Sequence, residues 1–253
     1  MTVKTSYAPG EPIWVDLGSH DVDASRAFYG GLFGWTAPPG MDDFGGYTNF
    51  ELDGHRVAGL MPLMSPEQPP AWSCYVCTAD AQKTTELVEK AGGTVIAPPM
   101  DVGALGTMAV YAEAAGAFFG VWQPGQHVGA ELIDSEGTLT WIELGTRDQP
   151  RSDEFYGSVF GWGTESTSDY TEFTQEGSSV AGCMDVPPNV PAEVPGYWMP
   201  YFTAADPAAQ GARAEQLGGT VVAPMMDFPG GRFCVVQDPH GAMFGLLDLK
   251  ASA

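Results

Sequence analysis

The chain has 253 residues, 44% of them hydrophobic and 11% aromatic, enough to build one large core or two modest ones. Its 32 acidic against 10 basic residues leave a net charge of −22. That field repels phosphate backbones and anionic lipid and attracts small cations, so nucleic-acid and membrane partners are not expected. The N-terminal stretch MTVKTSYAPGEPIW lacks the apolar core of a signal peptide, and no run approaches the roughly 20 apolar residues of a membrane span. A cytoplasmic protein with reduced thiols is the expectation.

In chain order, IWVDLGS (13–19) reads as a short strand. Asp21 then caps a helix that carries Phe28 and Leu32 on one face. Gly34 ends that helix and Trp35 begins the next segment. YTNFEL and RVAGLMPL flank Asp53-Gly54, a strong hairpin signal. The proline-rich link MSPEQPP leads to a second round: strand CYVCT, helix DAQKTTELVEKAGG, and strands TVIAP, TMAVYA and FFGVWQ. Cys74 and Cys77 look like a CxxC pair, but residues three apart on a strand point to opposite faces, so neither a metal chelate nor a disulfide is expected.

A polar connector, GQHVGAELIDSEG, then precedes a second copy of everything before it. WVDLGSHDVDASRAFYGGLFGW (14–35) matches WIELGTRDQPRSDEFYGSVFGW (141–162) without a gap, and AGGTVIAPPMD (91–101) matches LGGTVVAPMMD (217–227). The second half has its own proline-rich link, VPPNVPAEVPG. The expected organisation is an α+β fold of four β-α-β-β-β modules. Modules at about 11–64 and 72–124 make a first domain over 8–124, and 125–136 connect it to a second domain over 137–249, with modules at about 138–186 and 197–249. In this frame the repeated octets FYGGLFGW and FYGSVFGW are scaffold, their aromatic residues core.

The strand-Asp-helix-FYxxLFGW pattern, with a module ending in DPHGAMFGLL (238–247), resembles the vicinal oxygen chelate superfamily of glyoxalases, extradiol dioxygenases and bleomycin-resistance proteins. The tandem layout is similar to actinomycete glyoxalase-like proteins, among them a mycobacterial antigen and "hydroxylase"-labelled accessory proteins of anthracycline pathways. The resemblance implies paired modules with curved mixed sheets that form clefts. In the metal-dependent members, His or Gln in a module's first strand and Glu in its last strand hold a divalent ion. Those positions fall here on Trp14, Ser73, Trp141 and Met199, and on Gly59, Gly120, Gly182 and Gly245. None is an ordinary metal ligand, so neither a metal nor another cofactor is expected. His20, His55, His127 and His240 read as solvated loop residues.

Strand alternation sends Val15 and Leu17 toward the helix and Trp14 and Asp16 into the cleft; likewise Ile142 and Leu144 face the helix, Trp141 and Glu143 the cleft. Tyr75 and Tyr201 match Asp16 in the even-numbered modules. Met61, Met184, Trp122, Phe118 and Met243 share phase with the ligand-position glycines. A cleft lined by Trp14, Asp16, Met61, Tyr75, Trp122, Trp141, Glu143, Met184, Tyr201 and Met243 suits a large planar ligand. The loops 101–107 and 227–233 read as its lips, with Arg232 available to a carbonyl or acid.

Two functions lead, and a metal-dependent glyoxalase using unrecognised ligands is a third. The first is metal-independent binding of an aromatic, polyketide- or antibiotic-like small molecule, for resistance, for sequestration, or to assist a biosynthetic oxygenase. A cationic group on that ligand would pair with the carboxylates. The second is a metal-free isomerase, cyclase, lyase or glyoxalase-like enzyme with Asp16 or Glu143 as general acid or base. The alternative to both is that Trp14 and Trp141 fill the vacated metal hollow as ordinary core.

Overall fold

The computed structural model describes residues 2–41, 44–168, 170–188 and 190–249. In the first half these form β1 (Thr2–Val3), β2 (Pro12–Ser19), α1 (Val22–Phe33), β3 (Thr48–Leu52) and β4 (His55–Pro62). They continue with β5 (Ala71–Cys77), α2 (Ala81–Lys90), β6 (Thr94–Asp101), β7 (Gly106–Ala112) and β8 (Phe118–Pro124). The connector contributes β9 (Leu132–Ile133). The second half has β10 (Leu139–Thr146), α3 (Gln149–Phe160), β11 (Gly163–Ser166), β12 (Thr171–Gln175) and β13 (Ser178–Asp185). It closes with β14 (Tyr197–Thr203), α4 (Pro207–Gln216), β15 (Thr220–Phe228), β16 (Gly231–Gln237) and β17 (Met243–Leu249).

Local chemistry sets the helix ends. Each of the four described α-helices starts behind an aspartate whose carboxylate accepts a backbone N–H of the first turn: Asp21 from Ala24, Asp80 from Lys83, Asp148 from Arg151 and Asp206 from Ala209. α1 and α3 stop at Gly34 and Gly161, whose φ of 74° and 73° is the left-handed conformation that favours glycine.

The two modules of each half pair into one mixed sheet. The first has the order β3-β4-β2-β5-β8-β7-β6 and the second β11-β12-β13-β10-β14-β17-β16-β15. In the first, β2 and β5 run antiparallel at the centre, and β4 and β8 flank them in parallel. The centre of the second sheet repeats this with β10, β14, β13 and β17. The first module departs from the expected β-α-β-β-β. Its first strand after the helix is reduced to isolated bridges, Thr36 to Glu51 and Met41 to Tyr47. Pro38 and Pro39 sit between them and have no N–H to give a ladder.

The helices meet on the inner side of both sheets and share one core. The repeated octets are scaffold, as their spacing suggests, and they join the halves. The Tyr29 ring stacks on Trp35, and its hydroxyl accepts from Trp72 Nε1 at 3.0 Å and donates to Asp238 of the fourth module at 3.1 Å. Phe33 packs on Phe202 and Phe28 on Phe244. The second octet reaches back: Tyr156 packs on Phe119 and accepts from Trp198 at 2.7 Å. Thus the first module shares its core with the fourth, and the second with the third. Cys74 lies in this core and Cys77 on the opposite face of β5, as alternation requires.

The connector is not a solvated tether. Ala130 and Leu132 are fully buried, and His127 is buried rather than the loop residue its polar surroundings suggest. β9 pairs with β1, and Arg56 of β4 forms an ion pair with Glu131. No described helix is long and apolar enough to cross a membrane.

Candidate functional site

The face of each sheet turned away from the helices carries the residues that strand phase assigns to a cleft. Val15, Leu17, Ile142 and Leu144 lie in the shared core, while Trp14 and Tyr75, and Trp141 and Tyr201, cluster on the opposite faces. The ligand-position glycines lie across the ladder from these residues. Asp16 pairs with Gly59, Tyr75 with Gly120, Glu143 with Gly182 and Tyr201 with Gly245.

The glycines are there because aromatic rings occupy the space above them. A Cβ at Gly120 or Gly245 would run into the ring of Tyr75 or Tyr201. One at Gly59 would meet the Tyr47 hydroxyl and Asp16, and one at Gly182 the Tyr170 hydroxyl and the Trp141 indole nitrogen. The two tyrosine hydroxyls each accept an indole N–H, from Trp14 and from Trp141, both at 2.9 Å. Tyr47 and Tyr170 are site residues that the strand-phase argument misses. Their signal lies in the internal repeat, where YTNF (47–50) is answered by YTEF (170–173).

Each site is therefore a carboxyl enclosed by a tryptophan and two tyrosines. Asp16 is 4% exposed; burial pushes its carboxyl up to about 7, while the Tyr75 and Ser73 hydroxyls pull the other way. Its Oδ1 has no hydrogen-bond partner. Glu143 is also raised by burial, against the Tyr201 and Tyr170 hydroxyls, and accepts from Tyr201 at 2.7 Å. Among the described residues no group of three or more His, Cys, Asp or Glu could hold a metal ion. The donor set at the expected ligand positions, indole, thioether, one serine hydroxyl and glycine, does not fit a divalent ion of the kind those positions bind in metal-dependent relatives.

The two clefts differ because the connector occurs once. In the first half it crosses the mouth. The His127 ring sits edge-on to Trp14 at 4.6 Å and to Trp122 at 5.5 Å, and the Trp122 indole N–H donates to the His127 carbonyl at 2.7 Å. Burial lowers the imidazole to about 4, so it packs as a neutral ring. Backbone N–H groups of Gly125 and Gln126 bond the carbonyls of Leu105 and Ala104, fixing the 101–107 loop. Tyr7 donates to the Ala130 carbonyl at 2.7 Å from the other side. Trp14 is buried beside this ring, and Trp122 is half-buried.

Among the described residues, no connector or histidine packs on Trp141 in the second cleft as His127 does on Trp14. Met199, Tyr201, Val235 and Leu247 form its floor, with Trp141, Tyr197, Phe228 and Phe233 partly exposed around them. Met243 and Met226 stand at its rim, 36% and 43% exposed. Met61 and Met184 share the cleft faces by register but belong to neither aromatic cluster. Phe118 is exposed. Arg232 does not reach the cleft; its guanidinium bonds Asp248 and the Ala205 carbonyl, both at 2.9 Å.

Comparison with known proteins agrees with this architecture. The family model for the Glyoxalase/Bleomycin resistance protein/Dioxygenase superfamily matches residues 138–246. The chain is 40% identical to an anthracycline biosynthesis protein, DauV, of Streptomyces sp. (strain C5), over 97% of this chain and 96% of that one. It is 36% identical to a putative glyoxylase, CFP32, of Mycobacterium bovis, over 98% of each. The chain belongs to the glyoxalase, bleomycin-resistance and dioxygenase superfamily, with the vicinal oxygen chelate fold. Among solved structures, the Mn(II)-bound glyoxalase of Novosphingobium aromaticivorans superposes with a TM-score of 0.68 at 16% identity, over 94% of this chain and 82% of that one. The 2,3-dioxygenase LapB of Pseudomonas sp. KL28 gives 0.67 at 12% identity, over 97% and 95%. These two share the fold.

Proposed function

We propose that the second-half cleft binds a planar aromatic small molecule without a metal ion, and that the protein serves aromatic natural-product biosynthesis in an accessory role. One observation carries this reading. Trp141, Tyr170, Glu143 and Tyr201 form a hydrogen-bonded set beneath a Met- and Phe-lined face, and Trp141 stays half-buried there, while its counterpart Trp14 is buried against His127. Indole and thioether side chains suit a flat, polarisable ring system, and the enclosed carboxyl supplies one directional polar contact. The relationship to a protein named for anthracycline biosynthesis supports the ligand class.

The test is a tryptophan-fluorescence titration with planar polyketides. Trp141→Ala should weaken binding at least tenfold, and Trp14→Ala should leave it within twofold. Equal loss from both changes, or from neither, would refute the assignment to the second cleft. Metal analysis of the purified protein should find no stoichiometric divalent ion.

A second reading rests on the raised Glu143 carboxyl with Tyr201 at 2.7 Å, an arrangement able to move a proton next to a ligand carbonyl. If the bound compound is converted, and Glu143→Gln stops turnover while affinity persists, this reading replaces simple binding.

A further inference from the structure

A pocket of about 160 Å³ lies beside Trp141, between the N-terminal segment and the start of β10. We infer that it is a subsite for a saturated, hydroxylated substituent of the ligand, the planar part of which rests on Trp141. The inference builds on the proposed binding function and adds the chemistry of the second group.

The N-terminal segment belongs to the first half of the chain but is fixed against the second. Trp162, the last residue of the second octet, donates its indole N–H to the Gly10 carbonyl at 3.0 Å. Lys4 N–H bonds the Glu131 carbonyl at 2.9 Å, next to the β1–β9 pairing. The wall built by this segment therefore has a set position relative to Trp141.

Size rules out the whole ligand. Pockets for complete drug-sized molecules start at roughly 300 Å³, so this space takes a substituent. Its mixed lining, bordered also by Tyr7 and Trp141, favours a substituent that carries both C–H faces and hydroxyls. Ile133, Leu139 and Val180 give aliphatic walls suited to C–H faces. Lys4, Glu11, Asp134, Thr140 and Ser179 interleave donors and acceptors around them. Thr140 donates to Asp134 at 2.9 Å, and Lys4 lies 3.4 Å from Glu11, so these groups are held in place and the lysine charge is already matched. A hydroxyl both donates and accepts, so a ring carrying several of them matches a mixed rim better than a lone charge does.

The probes are emodin, a planar anthraquinone, and its monoglucoside, titrated against the full chain by tryptophan fluorescence. The glucoside should bind about tenfold more tightly. Ser179 is exposed on β13, and Ser179→Phe fills the pocket without entering the core. That variant should bind both compounds alike, with emodin affinity unchanged. Thr140→Val should reduce glucoside affinity severalfold and leave emodin alone. Equal affinities in the unaltered chain, or a glucoside preference that survives Ser179→Phe, would overturn the subsite and leave the cleft standing. Failure of both compounds to quench would overturn the cleft and the subsite together.

Discussion

Asp16 and Glu143 hold equivalent places in the two sheets, and each is bonded by the facing tyrosine, Tyr75 or Tyr201, but Asp16 keeps one carboxylate oxygen without a partner. The cost of burying Asp16 appears as pH dependence. Its folded value of about 7 lies above the ordinary 3.8, so the folded state holds a proton that the unfolded state has released. Its favourable contribution is complete below pH ~4 and is lost as pH rises through about 7. At about 1.4 kcal/mol per pH unit, the interval corresponds to at most about 4 kcal/mol. Asp16→Asn should flatten the decline in urea-unfolding stability between pH 4 and pH 7.5; an unchanged slope would show that Asp16 is not the group responsible. In the second half, Gly182→Ala should push Tyr170 off the Trp141 indole and weaken aromatic-ligand binding about tenfold with little change in secondary structure, read by titration and circular dichroism. Strand alternation made Trp14, Asp16, Trp141 and Glu143 legible in the sequence, since only one phase puts Val15 and Ile142 in the core. Tyr47 and Tyr170 were not legible that way. They reach in from just before β3 and just before β12, and the alternation along β2 or β10 does not report a partner that distant.

Helices were the most legible elements, because an aspartate and a glycine bracket α1 and α3 directly in the sequence. The caps predict a measurable contribution. Asp21→Ala should lower unfolding stability by about 1 kcal/mol, visible as a shifted urea midpoint with an unchanged slope. His127 was misread as solvated for an equally local reason. The connector's polar residues suggest solvent, but Ala130 and Leu132 alternate with them and find a face to bury on, and His127 is neutral enough to pack between two indoles. Likewise, the first strand after α1 was expected from the repeat, whereas Pro38 and Pro39 stop the ladder there. A repeat transmits the plan of a module; a proline or a linker that occurs in one copy breaks the equivalence, and here that break buries Trp14 while Trp141 stays half-buried.

Sheet and core divide the molecule along different lines. Each sheet is built within one half, while the core joins the first module to the fourth and the second to the third. A fragment ending after residue 134 would retain its seven-stranded sheet but lose Phe202, Phe244 and Asp238 from around Phe33, Phe28 and Tyr29. It should bind the dye ANS strongly and lack near-ultraviolet circular dichroism; a well-ordered fragment would show that the shared core is dispensable. The hydrogen bond between Tyr29 and Asp238 spans 209 residues of chain. During synthesis, α1 is complete long before the turn that receives it has been made. Trp35, Phe50 and Trp72 can pack on its aromatic face early, but the side that meets Phe202 and Phe244 stays uncovered until the fourth module emerges, so this face is most exposed to aggregation during synthesis.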